Sequence, residues 1–254
     1  MQTPPDRGLL QAVMKLREQA VVVIPAYKET LMPEERLSLE QCLRVLGGHP
    51  ITLIAPEGFS LDAYSPVENG LAVRRFHASY FQSTRTYNRL MLAPSFYANF
   101  IRYRYILIYQ LDAFVFSDQL ADWCARGWDY VGAPWLGADW LDNLPINRPT
   151  WSRDNIVGNG GFSLRKASTH LTLSILFRRA AKRWPANEDG FWAFYVPSWW
   201  PLFRIPSTDE ALRFSFEMNP AECYELAGRV LPFGCHAWEK HDRAFWSRFI
   251  GAAG

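Results

Sequence analysis

Four short stretches carry side chains that a fold alone does not call for. The first is YILIYQLDAFVF, residues 105–116, where one carboxylate, Asp112, interrupts a run of β-branched and aromatic residues. Leaving such a carboxylate buried and unpaired costs several kcal/mol, a large share of what keeps a domain folded. Asp112 must therefore meet solvent, a cation or a ligand hydroxyl, or else cap the next helix or pair with an arginine. In a crevice, a hard divalent cation would take its oxygens together with those of a diphosphate and neutralise that leaving group.

The second stretch is VGNGGFSLRK, in which Gly158, Gly160 and Gly161 bracket Asn159. It is neither a P-loop, since no GK[ST] follows, nor a GxGxxG fingerprint. A tight turn before a strand accounts for it, and so does a need for backbone to approach a ligand closely. The third is NEDGFW. Glu188 and Asp189 suit the first turn of a helix, or one of them is a general base for an acceptor hydroxyl. Phe191, Trp192 and Phe194 alongside would raise an acid's pKa. The fourth is FGCHAWEKHD, where His236 is either a structural histidine or a ligand for a Mn²⁺-like ion. His241 and Asp242 read as surface residues.

The elements that must position these groups follow from periodicity. AVVVIPAYK, residues 20–28, is a continuous apolar run closed by a proline, which predicts a parallel strand buried on both faces. MPEERLSLEQCLRVLGG reads as a helix, with Pro33 near its start and Gly47 at its stop. ITLIAPEG and AVRRFH are further strands. TYNRLMLAPSFYANF is a helix broken near Pro94, and SDQLADWCARG is a helix with a Ser or Asp cap. This alternation predicts a parallel α/β sheet with right-handed crossovers, whose ligands sit at the carboxyl ends of strands. IPAYKE and LDAF both fall at such ends. From residue 137 to 156 periodicity is lost, which predicts a functional or mobile loop. A long helix, ASTHLTLSILFRRAAKRW, ends in Arg178, Arg179, Lys182 and Arg183, cations that suit its dipole. PSWWPLF is expected in the core rather than at a membrane, and TDEALRFSFE is expected to be an amphipathic helix.

The totals narrow the function classes. The chain has 254 residues and a net charge of +2, enough for a sizeable core and too mildly basic, with no Lys/Arg stripe, for a nucleic-acid partner. Cys42, Cys124, Cys223 and Cys235 form no CxxC pair, so free thiols are expected rather than zinc. No signal segment and no apolar run of membrane-spanning length is present, and a cytoplasmic setting is the expectation. Eleven Trp, 11 Tyr and 17 Phe predict an aromatic core, with some rings left over as stacking walls.

In their order along the chain, the four stretches resemble the core of GT-A-fold nucleotide-sugar glycosyltransferases. Those enzymes carry a DxD-type acid after a strand, a glycine-containing loop, an acidic xED motif and a C-terminal metal-binding His. The strings IPAYKE, YNRLML, YILIYQLDAFVF, GAPW, GNGGFSLRK, NEDGFW and LPFGCHAWEK are similar to the domain of unknown function 5672 family, over residues 20–246. The resemblance implies one GT-A-like (Rossmann-like) α/β domain over residues 20–254, after a lead-in of residues 1–19. A mostly parallel central sheet would be flanked by helices. Residues 20–135 would form the nucleotide-binding half and residues 136–254 a mixed acceptor half. The implied reaction moves a sugar from a nucleotide-diphosphate donor to a hydroxyl of a glycan or glycolipid acceptor, in bacterial surface polysaccharide synthesis. The protein would work at the inner face of the membrane, with peripheral contact only.

Carried over residue by residue, the resemblance makes Asp189 the base of an inverting displacement and Glu188 a sugar-hydroxyl partner. Pro25, Tyr27, Glu29, Asn88, Arg89, Asp112, Asn159, Gly160 and Gly161 would bind the donor. Asp112 and His236 would hold Mn²⁺ or Mg²⁺. Here Gln110-Leu111-Asp112 supplies one acid where the motif has two, so Arg89 or Arg165 could instead neutralise phosphate. The same departure supports a second reading, a glycosyltransferase-like binding protein without catalysis. A nucleotidyltransferase, also built on an acid and a metal at a sheet edge, is a third.

Overall fold

Strand β1 (Glu18–Pro25) has no exposed face beyond its first residues: Ala20, Val22 and Ile24 pack into one apolar cluster and Val21 and Val23 into another on the opposite side. That is the environment its unbroken apolar run predicts. The computed structural model describes residues 18–65, 70–136 and 157–251. The expected loop at 137–156, and the lead-in up to residue 17, lie outside these residues.

β1 sits mid-sheet and pairs in parallel with β2 (Ile51–Pro56) and with β4 (Tyr103–Tyr109), Val22 lying opposite both Ile51 and Leu107. β3 (Ala72–Phe76) extends the parallel set beside β2. On the far side, β7 (Phe162–Lys166) runs antiparallel to β4, and β6 (Tyr130–Val131) antiparallel to β7. The order is β3-β2-β1-β4-β7-β6. Because β1 and β4 are adjacent while the chain winds away from β1 in both directions, their carboxyl ends open a crevice at a topological switch point. The antiparallel β7 matters too. Tyr109 pairs with Phe162, so residues just before β7 lie at the same sheet edge as residues just after β4.

A second sheet of three short strands, β5 (Phe114–Val115), β9 (Gly234–Cys235) and β8 (Ser215–Phe216), stands over that edge. β8 and β9 are parallel, with Phe216 opposite Cys235, and they rest on an aromatic cluster that includes Phe114, Trp238 and Trp246.

Several expectations hold in detail. The helix pair Thr84–Met91 and Pro94–Ala98 breaks just before Pro94, and all four cysteines are buried free thiols; Asp118 accepts from Leu120 N–H just before Leu120–Ala125, although the N-cap itself is Gln119, whose side chain makes no cap. Three expectations are corrected. The helix at TDEALRFSFE stops at Phe214, and Ser215–Phe216 turns into strand. The long basic helix is two helices, Ala167–Leu176 and Arg178–Arg183, meeting at Phe177. PSWWPLF is core only at Phe203: Trp199 is 67 % exposed and Leu202 74 %. The inner side of that stretch is already filled by Phe203, which packs on His170 and Trp192, leaving no room for the neighbouring rings.

Candidate active site

The two sheets bring three strand ends together. Asp112 lies between β4 and β5, His236 follows β9, and Glu217 follows β8. The parallel register that sets Phe216 opposite Cys235 carries Glu217 and His236 side by side, and His236 N–H bonds Phe216 O at 2.9 Å. Glu217 Oε1 lies 3.0 Å from His236 Nδ1. On the other side of the ring, Nε2 meets Asp112 Oδ1 at 3.1 Å and Gln110 Oε1 at 3.3 Å. Lys240 Nζ donates to Asp112 Oδ2 at 2.6 Å. Burial alone would raise the Asp112 pKa, but His236 and Lys240 outweigh it and hold the carboxyl well below the usual range. Burial would lower His236, yet Asp112 and Glu217 push it up to about 10. Unpaired burial of Asp112 is thus avoided by two cationic partners.

Two oxygens, Asp112 Oδ1 and Gln110 Oε1, converge on His236 Nε2, and the three atoms together could serve as donors to a hard cation. Nε2 and the Asp112 and Gln110 oxygens lie close enough together to share one cation of the kind that takes oxygen donors. Glu217 completes the arrangement from behind, since a metal-bound imidazole commonly gives its other N–H to a carboxylate. Among the described residues no three His, Cys, Asp or Glu side chains cluster as a metal site; here an amide takes the third place. Glu217 is held in turn by Asn159 Nδ2 at 2.6 Å.

The opposite wall is built on a buried ion pair. Arg165, on β7, is fully buried and grips Glu188 through both terminal nitrogens, at 3.0 and 2.7 Å. Its other donors reach Tyr97 Oη, Gly160 O and Ser163 Oγ, so its hydrogen bonds are satisfied. This fixes the Gly160 peptide, whose N–H points at Asp189 Oδ2 at 3.3 Å. Gly190 N–H donates to Asp189 Oδ1 at 2.7 Å. Burial, and then the charge of Glu188, raise the Asp189 pKa to about 7. The glycines serve close approach, not positive φ: a Cβ at Gly161 would come within 2.0 Å of His236 Nε2, and one at Gly160 within 2.2 Å of Glu188 Oε1.

Between these walls lies a cleft of two lobes. A lobe of about 340 Å³ is lined by Pro25, Tyr27, Lys28, Asp112 and Lys240, among others. A lobe of about 560 Å³ is lined by Asn88, Asn159, Gly160, Gly161, Glu188 and Asp189. Thr84, Gln110 and His236 line both. Most of the residues singled out in the sequence therefore meet in one place. Glu29 and Arg89 do not: both are exposed and line neither lobe. Arg89 follows Asn88 on a helix, and one residue turns the side chain by about 100°, away from the cleft that Asn88 faces. Arg165 is too deeply enclosed to meet a phosphate, and Glu188 has both oxygens engaged by it. Gln110 and Glu217 were missed as site residues. Glu217 follows a strand of only two residues, Ser215–Phe216, which leaves too short an alternation to mark it in the sequence.

A mainly parallel sheet with its crevice between β1 and β4, flanked by an antiparallel strand and a small second sheet, defines a GT-A glycosyltransferase fold. Two solved structures share it. The galactosyltransferase LgtC, in complex with donor and acceptor sugar analogs, matches with a TM-score of 0.53 at 14 % identity over 92 % of each chain. Mouse xyloside xylosyltransferase 1, in its apo form, matches with a TM-score of 0.52 at 10 % identity, over 86 % of this chain and 97 % of the other. Likeness at these identities carries the fold alone. The family described as protein of unknown function DUF5672 matches residues 70–236, and the chain belongs to it. No curated protein matches the sequence.

Proposed function

We propose that this protein is a glycosyltransferase that moves a sugar from a nucleoside-diphosphate donor to an acceptor hydroxyl. The observation that carries the reading is the two-lobed cleft with a shared wall at Gln110 and His236. The smaller lobe suits the nucleotide. Tyr27, 44 % exposed and set against Phe81 and Tyr87, offers a face for the base. Lys240 and Lys28 place ammonium groups beside the path of the phosphates. The larger lobe suits the donor sugar and the acceptor, with Asn88 and the Gly160–Gly161 backbone as polar contacts.

Asp189 is the base in this account. As the acceptor oxygen bonds to the anomeric carbon and the diphosphate leaves, Asp189 takes the hydroxyl proton. Such a base contributes about 10²–10⁴-fold, and a carboxylate with a pKa near 7 is well matched to that task. A single displacement inverts the anomeric configuration. Glu188 works through Arg165, which locks the Gly160 peptide against Asp189; it is a positioning residue. Asp112, Gln110 and His236 would hold a Mn²⁺ or Mg²⁺ ion, which when bound neutralises charge on the diphosphate. A cation held at Nε2 would take the place of the proton on His236, so its affinity would rise with pH. The acceptor would be a glycan or glycolipid, the class the GT-A resemblance implies.

The test is incubation with a panel of nucleotide sugars and Mn²⁺, following release of nucleoside diphosphate. Steady release with at least one donor is expected, slow when water is the only acceptor. Stoichiometric binding without release would support a non-catalytic binding protein instead. Pyrophosphate release from a nucleoside triphosphate would support a nucleotidyltransferase.

A further inference from the structure

The helical run that begins at the cleft with Glu188 ends at Trp199, the exposed aromatic step already noted. Ten residues separate Asp189 from Trp199, roughly 15 Å of helix. At that far end Trp199, Trp200 and Leu202 are all exposed, and at the end of the neighbouring helix so are Ile175 and Leu176. Ring contacts join the two ends. Tyr195 packs on Trp199 at 6.3 Å and also on Phe177 and Trp184, at 5.9 and 5.7 Å. Phe177 and Trp184 bracket the short helix Arg178–Arg183. Arg178, Arg179, Lys182 and Arg183 on that helix are exposed, and among the described residues none has a carboxylate partner.

The helix dipole accounts for only half of these cations: Lys182 and Arg183 lie in the last turn, where it favours them, but Arg178 and Arg179 sit at the N-terminal end of this six-residue helix, where positive charge is unfavourable. Nor do acids balance the face. Between residues 167 and 206 the only acids are Glu188 and Asp189, and both line the cleft. Exposed tryptophans and aliphatics beside unpaired Arg and Lys are what a lipid headgroup region accommodates: rings at the interface, apolar side chains just below it, cations against anionic headgroups.

We infer that this face, Ile175/Leu176 and Trp199–Leu202 with the basic helix between them, docks on an anionic lipid bilayer. It would hold the cleft about one helix-length from the membrane, where the hydroxyl of a lipid-linked acceptor can reach Asp189. The docking itself does not depend on the transferase reading. Among the described residues no helix is long and apolar enough to cross a membrane, so the contact is peripheral.

Co-sedimentation with vesicles tests it, using phosphatidylcholine alone and phosphatidylcholine mixed with phosphatidylglycerol. Two variants are compared with wild type: Trp199→Ser/Trp200→Ser, and Arg178→Gln/Arg179→Gln/Lys182→Gln/Arg183→Gln. Melting temperature serves as the fold check, since every substituted residue is exposed. Wild type should pellet with the phosphatidylglycerol vesicles and release in high salt. The charge variant should lose at least about 10²-fold in partitioning, and the tryptophan variant about tenfold or more. Wild type staying in the supernatant would overturn the inference. So would tryptophan-variant binding equal to wild type, which would leave a general polyanion site in place of a membrane face.

Discussion

The two walls of the cleft are both made of charges, yet they differ in what those charges have left to offer a ligand. On the β7 side, Arg165 and Glu188 are buried and turned toward each other, with hydrogen bonds completed by Tyr97, Ser163 and the Gly160 carbonyl. On the β4 side, Asp112 is paired with Lys240, whose side chain is 60 % exposed, and with a histidine that faces both lobes. The first wall is closed and works as scaffolding; in the proposed function the second exchanges its partners for phosphate or a cation. Asp189 sits where the closed wall meets the open lobe, and this placement raises its pKa without removing its access. Adjacent acids of one sequence motif thus sit in different environments, set by Arg165, 23 residues from Glu188.

Substitutions on each side should separate these roles. The largest effect is expected at the junction: Asp189→Asn should cut turnover by about 10²–10⁴-fold while donor affinity, measured by titration calorimetry, stays within a few fold. Equal losses in both would move Asp189 from chemistry to binding. Breaking the closed wall should act on stability. Glu188→Ala leaves Arg165 buried without its partner, at a cost of about 3–5 kcal/mol, and the melting temperature should fall by roughly 6–20 °C. An unchanged melting temperature would mean the pair is not the scaffold described.

The open wall should respond differently. Glu217→Gln is close in shape and should leave the melting temperature nearly unchanged, but weaken Mn²⁺ binding about 10–100-fold. If stability falls and Mn²⁺ affinity does not, Glu217 belongs to the scaffold as well. The smallest effect is the pH dependence. Asp189 must be deprotonated to accept a proton, and its pKa is about 7. With the cation saturating, turnover should therefore fall about tenfold from pH 8 to pH 6, and a flat profile would argue against a base of this pKa.

The large elements were legible in the sequence because burial writes itself into long patterns. β1 and β4 are apolar on both faces, and their runs read as central strands. The break before Pro94 follows from the ring's geometry. The second sheet was not legible: β5, β8 and β9 are two residues each, too short for alternation to show above noise. Glu217 was hidden with it, inside what reads as the end of a helix. Arg89 and Glu29 were misplaced because nearness in sequence to a motif residue does not fix the direction of a side chain. The opposite fates of Glu188 and Asp189 depended on Arg165, and nothing in NEDGFW announces that partner.

That the two walls serve one sugar-phosphate ligand is tested most directly by melting the protein with each nucleoside diphosphate, with and without Mn²⁺. A ligand that binds only the folded state raises the melting temperature, by an amount that grows with the logarithm of its concentration over Kd. At least one nucleoside diphosphate should raise it, more strongly with Mn²⁺ present, and the Mn²⁺-dependent part should shrink in Glu217→Gln. If none shifts the transition under either condition at millimolar concentration, the cleft does not grip a nucleotide and the account is wrong.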